Sequence, residues 1–374
     1  MSFSPEFSLL LAACRYASGF LVTAEAEKLV IRSGAIDWSR LNRRADMHSV
    51  RPQLAQLTAR LTTGLIPDDF IARIQKVYQD NLVDQISYMA EFMKIKGMLE
   101  PEGIVIVPFK GFRLAHDYYG DIGGREAGDI DVFTEFRHLG RIRELMLASG
   151  YVIEKAMASY SMEDLSLRAG EYNFGKWEGE RCLFHFEFHW RMTSPVYGMG
   201  ISFGDLSSQI VPGLIQGQNL MRFTPSADLL LTVMHHGGKD PFNELKYVHD
   251  IAAIMRKQEE IDWEWVLFQA RRFRMEKVIY VARRMAKELF DATVPGALSA
   301  EAHSGVAGRL AGNRIRFMAN SLEYWHPWIT VNDWLFRIRT RRGLHLKIQL
   351  ALYIAGVAVR RFLLPARWRR KEVA

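Results

Sequence analysis

Cysteine and long apolar runs are both scarce in this chain of 374 residues. Its two cysteines, Cys14 and Cys182, are too few for a disulfide scaffold or a four-cysteine zinc site, and they fit a reducing compartment. The longest late apolar run, residues 348–359, is shorter than the ~20 residues that a membrane-spanning helix needs. We therefore expect a cytoplasmic protein without a spanning segment.

Acidic residues are nearly missing from one end of the chain. Residues 337–374 contain eleven Lys or Arg and one acid, Glu372, whereas the other 336 residues contain 38 basic and 41 acidic side chains. The excess positive charge therefore belongs to a tail, and we expect no specific nucleic-acid partner. The tail is predicted either to dock on the protein or to bind an anionic membrane surface, peripherally at the inner face of the membrane.

The remaining composition is that of a folded protein, with 49% apolar and 24% charged residues. The regions that the apolar spacing predicts are a helical part over 1–100, a core of short strands and helices over 101–222, a helical domain over 223–336 and a basic amphipathic tail over 337–374. Ser226 is the expected N-cap where helix returns. The pattern predicts an α+β fold with a small mixed sheet between helical regions.

Two aspartates alternate with apolar residues in a predicted strand over 129–133. Because side chains alternate across a strand, Asp129 and Asp131 lie on one face and Ile130 and Val132 on the other. Two carboxylates ~6–7 Å apart repel each other unless a cation lies between them, and hard oxygen ligands suit Mg²⁺. If the predicted strand over 182–190 is a neighbour, Glu187 adds a third acid, and three acids can hold two Mg²⁺ for displacement at phosphorus.

A turn upstream of these acids has the features of an anion site. Lys110 and Gly111 follow a predicted strand over 103–108 and precede a predicted helix over 112–119. Glycine lets the backbone approach a ligand closely, and a helix N-terminus favours anions. Arg125, in the loop before the aspartates, can bind phosphate through two hydrogen bonds. Together these residues predict chemistry on a nucleoside triphosphate.

The order of these motifs resembles that of a family of uncharacterised bacterial nucleotidyltransferases, in the superfamily that includes DNA polymerase β. The motifs that carry the resemblance are Lys110-Gly111, Leu114-Ala115, Arg125, Asp129-Ile130-Asp131, Gly150-Tyr151, Glu187-Phe188-His189-Trp190, His235-His236, Lys239 and Asp250-Ile251-Ala252. The resemblance implies metal-dependent transfer of a nucleoside monophosphate from an NTP such as ATP to an acceptor hydroxyl or phosphate. Pyrophosphate would be released.

The resemblance also implies a role for each residue of the site. Asp129, Asp131 and Glu187 would be the catalytic residues and the ligands of Mg²⁺ or Mn²⁺. The residues implied to bind the nucleotide are Lys110, Gly111, Arg125, His189 and Lys239. The acceptor, the preferred NTP and the oligomeric state stay open.

Another hypothesis is a core that binds a nucleotide or a partner without turnover. Phe112 follows Gly111, where the wider superfamily usually has a serine or a second glycine. A hydroxyl contact to phosphate is therefore lost at this turn.

A third hypothesis concerns the downstream histidines. His235, His236, His249 and Asp250 are spaced in a way that resembles the metal-binding helices of HD-type phosphohydrolases. The pattern favours a structural role instead, in which His235 or His236 caps a helix end near two glycines and Asp250 pairs with Lys239 or Lys246.

Overall fold

The computed structural model describes most of the chain. The described residues are 3–21, 25, 28, 36–61, 64, 66–198, 200–293, 305–320, 327–341 and 343–358. Within them, the expected α+β fold is observed, with a small mixed sheet and helices on either side of it in the sequence. No helix among the described residues is both long and apolar enough to cross a membrane.

The central sheet has five strands. They are β1 (Val107–Pro108), β2 (Ile130–Phe133), β3 (Val152–Ile153), β4 (Glu171–Glu178) and β5 (Arg181–His189). Their order is β1-β2-β5-β4-β3, and β2 pairs with β5 in parallel while the other neighbours are antiparallel. A separate hairpin consists of β6 (Ile210–Ile215) and β7 (Gln218–Phe223).

Helices account for most of the remaining structure. They are α1 (Pro5–Ala17), α2 (Trp38–Met47), α3 (Arg51–Thr58), α4 (Asp68–Leu99), α5 (Gly111–Leu114), α6 (Leu139–Ala148), α7 (Met162–Arg168), α8 (Phe203–Leu206), α9 (Pro225–Val233), α10 (Leu245–Met255), α11 (Trp263–Arg272), α12 (Glu276–Phe290), α13 (Gly305–Asn320), α14 (Pro327–Thr340) and α15 (Leu344–Ala358). A wider π-helical turn continues α5 over Ala115–Tyr119 and α9 over Met234–Lys239.

Two apolar cores lie on the two faces of β2. Ile130 and Val132 belong to a core shared by the sheet, α6 and the second half of α4. Phe133 belongs to a larger core that joins α1, α3 and the helices from α9 to α13. Because side chains alternate along a strand, Asp131 lies on the same face as Phe133 and is directed toward the helical side of the sheet.

The start of α9 differs from the prediction. Thr224 is the N-cap, since its side chain accepts a hydrogen bond from the backbone N–H of Ala227, and Ser226 lies inside the first turn. Pro225 occupies the first helical position, where its missing N–H would have no helical partner and its fixed φ suits the helix. The Ser226 assignment was therefore wrong by two residues.

Candidate active site

The parallel pairing of β2 and β5 places Glu187 beside Asp131. The two residues are direct partners in the register of the strands. Potential ligand atoms of Asp131, Glu187 and His189 all lie within 4.8 Å of one another. His189 bridges the two acids, since its Nε2 is 3.0 Å from Oδ1 of Asp131 and 3.4 Å from Oε2 of Glu187. We call these three residues the acid–histidine cluster.

A third acid, Glu171, reaches the cluster from β4. Its Oε2 lies 3.3 Å from Nδ1 of His189 and 3.6 Å from Nζ of Lys239. Glu171 is the register partner of His189 in the β4–β5 hairpin. The sequence did not predict this pairing, because a β-bulge at Lys176 and Trp177 shifts the register of the hairpin by one residue.

The predicted phosphate turn lies against the same acids. Lys110 is 8% exposed, and its Nζ is 3.0 Å from Oδ2 of Asp131 and 3.3 Å from Nε2 of His235. Gly111 has a φ of +51°, which is left-handed and strained for residues with a Cβ. A Cβ built there would come no closer than 3.6 Å to its nearest neighbour, the carbonyl oxygen of Asp129, so the backbone conformation rather than space requires glycine.

Asp129 lies immediately before β2 and outside the acid–histidine cluster. It is half-buried, and its carboxylate has no hydrogen bond or ion pair with any other described residue. The neighbouring charge of Asp131, followed by burial, raises the pKa of Asp129. The carboxylate therefore faces repulsion that a bound cation would relieve.

The pKa values of the cluster follow from burial and from the opposing charges. Burial lowers the pKa of His189, but hydrogen bonds to Asp131 and Glu187 outweigh it and raise that pKa to about 9. Burial opposes the charge of Asp131, yet Lys110 and His189 hold its pKa well below the usual range. Burial is the main cause that raises the pKa of Glu187. The pKa of His189 is therefore raised while that of the neighbouring Asp131 is lowered, so the two side chains carry opposite charges.

The local charge balance favours a cation. Four carboxylates meet two ammonium groups and one imidazole here; these residues are Asp129, Asp131, Glu171, Glu187, Lys110, Lys239 and His189. A donor set of carboxylate oxygens fits Mg²⁺ and Mn²⁺. The residues present therefore fit the metal that the resemblance implies.

Arg125 is directed away from the acid–histidine cluster. Its Nε and Nη2 donate to Oδ1 and Oδ2 of Asp250, each at 2.9 Å, and its side chain is 3% exposed. Tyr119 donates a hydrogen bond of 2.6 Å to the same carboxylate. Asp250 therefore pairs with Arg125, so the expected pairing with Lys239 or Lys246 was wrong. A phosphate contact of Arg125 stays a prediction.

The downstream histidines divide into two groups. His249 faces Ser18 and Tyr119, at 2.5 and 3.3 Å, and does not join the other two histidines. His235 and His236 lie beside Asp240, with potential ligand atoms within 4.8 Å of one another.

The second group has a positive environment. Burial, followed by the charges of Lys110 and Lys239, holds the pKa of His235 well below its ordinary value. These neighbouring ammonium groups oppose a metal cation at His235, so the geometry gives less support to the HD-type hypothesis than to a site at the acid–histidine cluster.

A cavity of about 470 Å³ opens beside Asp129. One of the residues that line it is Lys246, which was predicted only as a partner of Asp250. The lining also includes Tyr88, Ala127 and Gly128. Ala127 is also a near neighbour of Gly111, since a Cβ built on Gly111 would lie 3.9 Å from the Cβ of Ala127.

Lys246 carries a positive charge into this cavity. Its ammonium group forms no ion pair with another described residue, and burial, followed by the charge of Arg125, lowers its pKa. Its charge is one of those that lower the pKa of Asp129.

A small mixed sheet with clustered acids beside a glycine turn agrees with the class of fold to which the motifs pointed. Residues 34–291 match the model of a family described as "Uncharacterised nucleotidyltransferase", and the chain belongs to this family. The match includes the sheet, the acid–histidine cluster and α9–α12. No curated protein and no solved structure matches the chain significantly.

Proposed function

We propose that the protein transfers a nucleoside monophosphate group from an NTP to an acceptor and releases pyrophosphate. Membership of the nucleotidyltransferase family supports the general reaction class. The observation that carries the proposal is the parallel register of β2 and β5, which pairs Asp131 with Glu187 next to Lys110. Without a bound cation, the four carboxylates of the site outnumber its three cationic groups, so the cluster fits a metal site.

The acids would form the metal site of this reaction. Asp129 and Asp131 would be shared ligands of Mg²⁺ or Mn²⁺, and Glu187 would complete the set. Bound divalent cations would neutralise the charge that develops on the transferred phosphoryl group and on pyrophosphate. Glu187 has a raised pKa, which suits a carboxylate that accepts the proton of the acceptor hydroxyl.

The phosphates would lie between the glycine turn and the helical side. Gly111 would offer its backbone, and Lys110, whose Nζ lies 3.0 Å from Oδ2 of Asp131, would bind a phosphate oxygen beside that acid. Lys246 enters the neighbouring cavity from α10, and its ammonium group forms no ion pair with another described residue, although Glu244, Asp250 and Glu126 act to raise its pKa. We assign Lys246 to the triphosphate, together with Lys239 from the turn after α9.

A second candidate function is binding without turnover. Both oxygens of Asp131 already have cationic neighbours, Lys110 at Oδ2 and His189 at Oδ1, each at 3.0 Å. A metal would have to displace or rearrange these contacts. Metal-dependent nucleotide binding with no release of pyrophosphate would support this candidate.

Asp131→Asn tests the proposal. The full chain is incubated with each of four α-labelled NTPs, Mg²⁺ or Mn²⁺ and a cell extract that supplies acceptors, and labelled product and pyrophosphate are measured. We expect the substitution to reduce transfer by about 10³-fold or more, because it removes a charge that binds the metal. Glu144→Gln, an acid on the exposed face of α6, is the matched control and should keep full activity.

Retained wild-type turnover in Asp131→Asn would overturn the assignment of the metal site. A circular dichroism spectrum of each variant separates loss of chemistry from loss of fold.

A further inference from the structure

Helix α15 is apolar on two sides. Leu350 is 3% exposed, and Leu346 packs over Gly198, so one side of the helix is attached to the protein. The other side carries Leu344, Ile348 and Leu352, which are 74%, 49% and 68% exposed. Residues four apart share a helix face, so these three side chains form one continuous exposed stripe.

The positive charge near this stripe is not spread over the whole tail. Arg337 and Arg341 are turned inward: Arg337 lies over the ring of Trp334 and donates to the carbonyl of Lys239, and Arg341 is 1% exposed and donates to the carbonyl of Tyr197. The guanidinium groups of Arg337 and Arg341 therefore bind other parts of the protein and are not available to a partner.

Further basic residues follow the stripe in the sequence. Beyond the last described residue of α15, the basic residues are Arg360, Arg361, Arg367, Arg369, Arg370 and Lys371, against the single acid Glu372. Phe362 and Trp368 lie among them, and aromatic side chains of this kind are common at membrane interfaces.

We propose that the exposed stripe of α15 and the basic sequence after it bind an anionic lipid surface. The stripe supplies apolar side chains for the boundary between headgroups and acyl chains, and the adjacent cations are attracted to negative headgroups. A second copy of the chain is a poorer partner, because two segments with the same net positive charge would be brought together.

Vesicle co-sedimentation of the full chain tests this proposal. The protein is mixed at low ionic strength with vesicles of phosphatidylglycerol and phosphatidylcholine, and in parallel with vesicles of phosphatidylcholine alone. We expect binding to the anionic vesicles that weakens as salt is added, since each basic residue near the surface contributes a factor of about five in affinity.

Two triple variants isolate the stripe. Leu344→Ser, Ile348→Ser and Leu352→Ser together should weaken binding to anionic vesicles by more than about ten-fold, because they remove most of the apolar contact. The control combines Leu167→Ser, Leu214→Ser and Phe268→Ser, three residues of 64%, 59% and 62% exposure elsewhere on the surface, and should bind like the wild type.

Three results would overturn the proposal. They are no binding to anionic vesicles at low salt, equal binding to the uncharged vesicles, and self-association by light scattering that the stripe variant abolishes in the absence of lipid. Thermal unfolding of both triple variants shows whether a loss of binding comes from unfolding. None of these measurements depends on nucleotide transfer, so the lipid surface and the proposed reaction stand or fall separately.

Discussion

Asp250 and Asp131 are both almost fully buried carboxylates whose pKa is depressed, yet their surroundings differ. Both oxygens of Asp250 are bonded by Arg125, and Tyr119 and His236 add hydrogen bonds of 2.6 and 3.2 Å. The charge is matched by one guanidinium in fixed geometry. Such a carboxylate is a completed structural contact that leaves little room for a ligand.

The surroundings of Asp131 contain more acid than the local cations balance. Glu187 and Glu171 both lie against His189 next to Asp131, and the pKa of the nearby Asp129 is raised chiefly by Asp131 itself. Folding would not favour such repulsion for stability alone. In this fold, the charges of a structural ion pair are matched, whereas a functional cluster contains a surplus of charge of one sign.

Neutralising one acid in each region gives the largest expected effect. Asp250→Asn should lower the free energy of unfolding by about 3–5 kcal/mol, because it leaves the buried guanidinium of Arg125 without its ionic partner. Asp129→Asn should leave stability unchanged or raise it, since it removes a charge that Asp131 and burial oppose. Urea unfolding of both variants and the wild type measures the difference.

Equal changes in the free energy of unfolding for Asp250→Asn and Asp129→Asn would contradict the distinction between the structural pair and the functional cluster. A large loss of stability in Asp129→Asn would show that its charge has a stabilising partner. A negligible loss in Asp250→Asn would show that the Arg125 pair is not needed by the fold.

The pH dependence of stability should report the acid–histidine cluster next. The pKa of His189 is about 9 in the folded protein against an ordinary value of 6.5, so its protonated form stabilises the fold. This contribution is fully present below pH 6.5 and is lost as the pH rises through about 9. In metal-free buffer, the free energy of unfolding should therefore fall across this window by up to about 3 kcal/mol.

His189→Gln is the test of that origin. The variant should show a flatter pH profile between the two values, whereas His345→Gln, an exposed histidine on α15, should keep the wild-type slope. An unchanged slope in His189→Gln would assign the pH dependence to other groups.

Sequence patterns were sufficient for the local structure of the sheet. Short apolar runs and the alternation of residues around Asp131 and Glu187 predicted β2, β5 and the turn at Gly111, because these signals depend on residues near in sequence. The hairpin of β6 and β7 was missed. Pro212 and Gly213 lie within β6, and both residue types argue against a strand when read in sequence.

The partners of the buried charges could not be predicted from the sequence. Arg125 and Asp250 are 125 positions apart, and nothing local indicates that they form a bidentate pair. Glu171 needed the hairpin register, and Lys246 needed the packing of α10 against the loop before β2. Tertiary packing decides which cation pairs with which acid. The order of the motifs therefore predicted that Asp131 and Glu187 are neighbours, but it did not predict that Arg125 pairs with Asp250.

Lys246→Met should have the smallest effect on free energy, and it tests whether Lys246 belongs to the structural ion pair or to the functional site. Lys246 lies one turn from the closed Arg125–Asp250 pair but opens onto the cavity beside Asp129. If its charge serves a ligand rather than the fold, the variant should bind a non-hydrolysable NTP analogue with Mg²⁺ about ten-fold more weakly, a loss of about 1.4 kcal/mol. Its free energy of unfolding should stay the same or rise, because burial already disfavours the charged form.

Isothermal titration calorimetry and urea unfolding measure these two quantities on the same samples. Lys287→Met, which removes an exposed lysine from α12 that pairs with Asp291, is the control and should leave nucleotide affinity unchanged. Lys246→Arg should restore part of the affinity, since it keeps the charge with a different shape. Loss of stability in Lys246→Met without weaker nucleotide binding would show that Lys246 is a structural residue, like Arg125 and Asp250. The cavity beside Asp129 would then have no lysine assigned to the ligand.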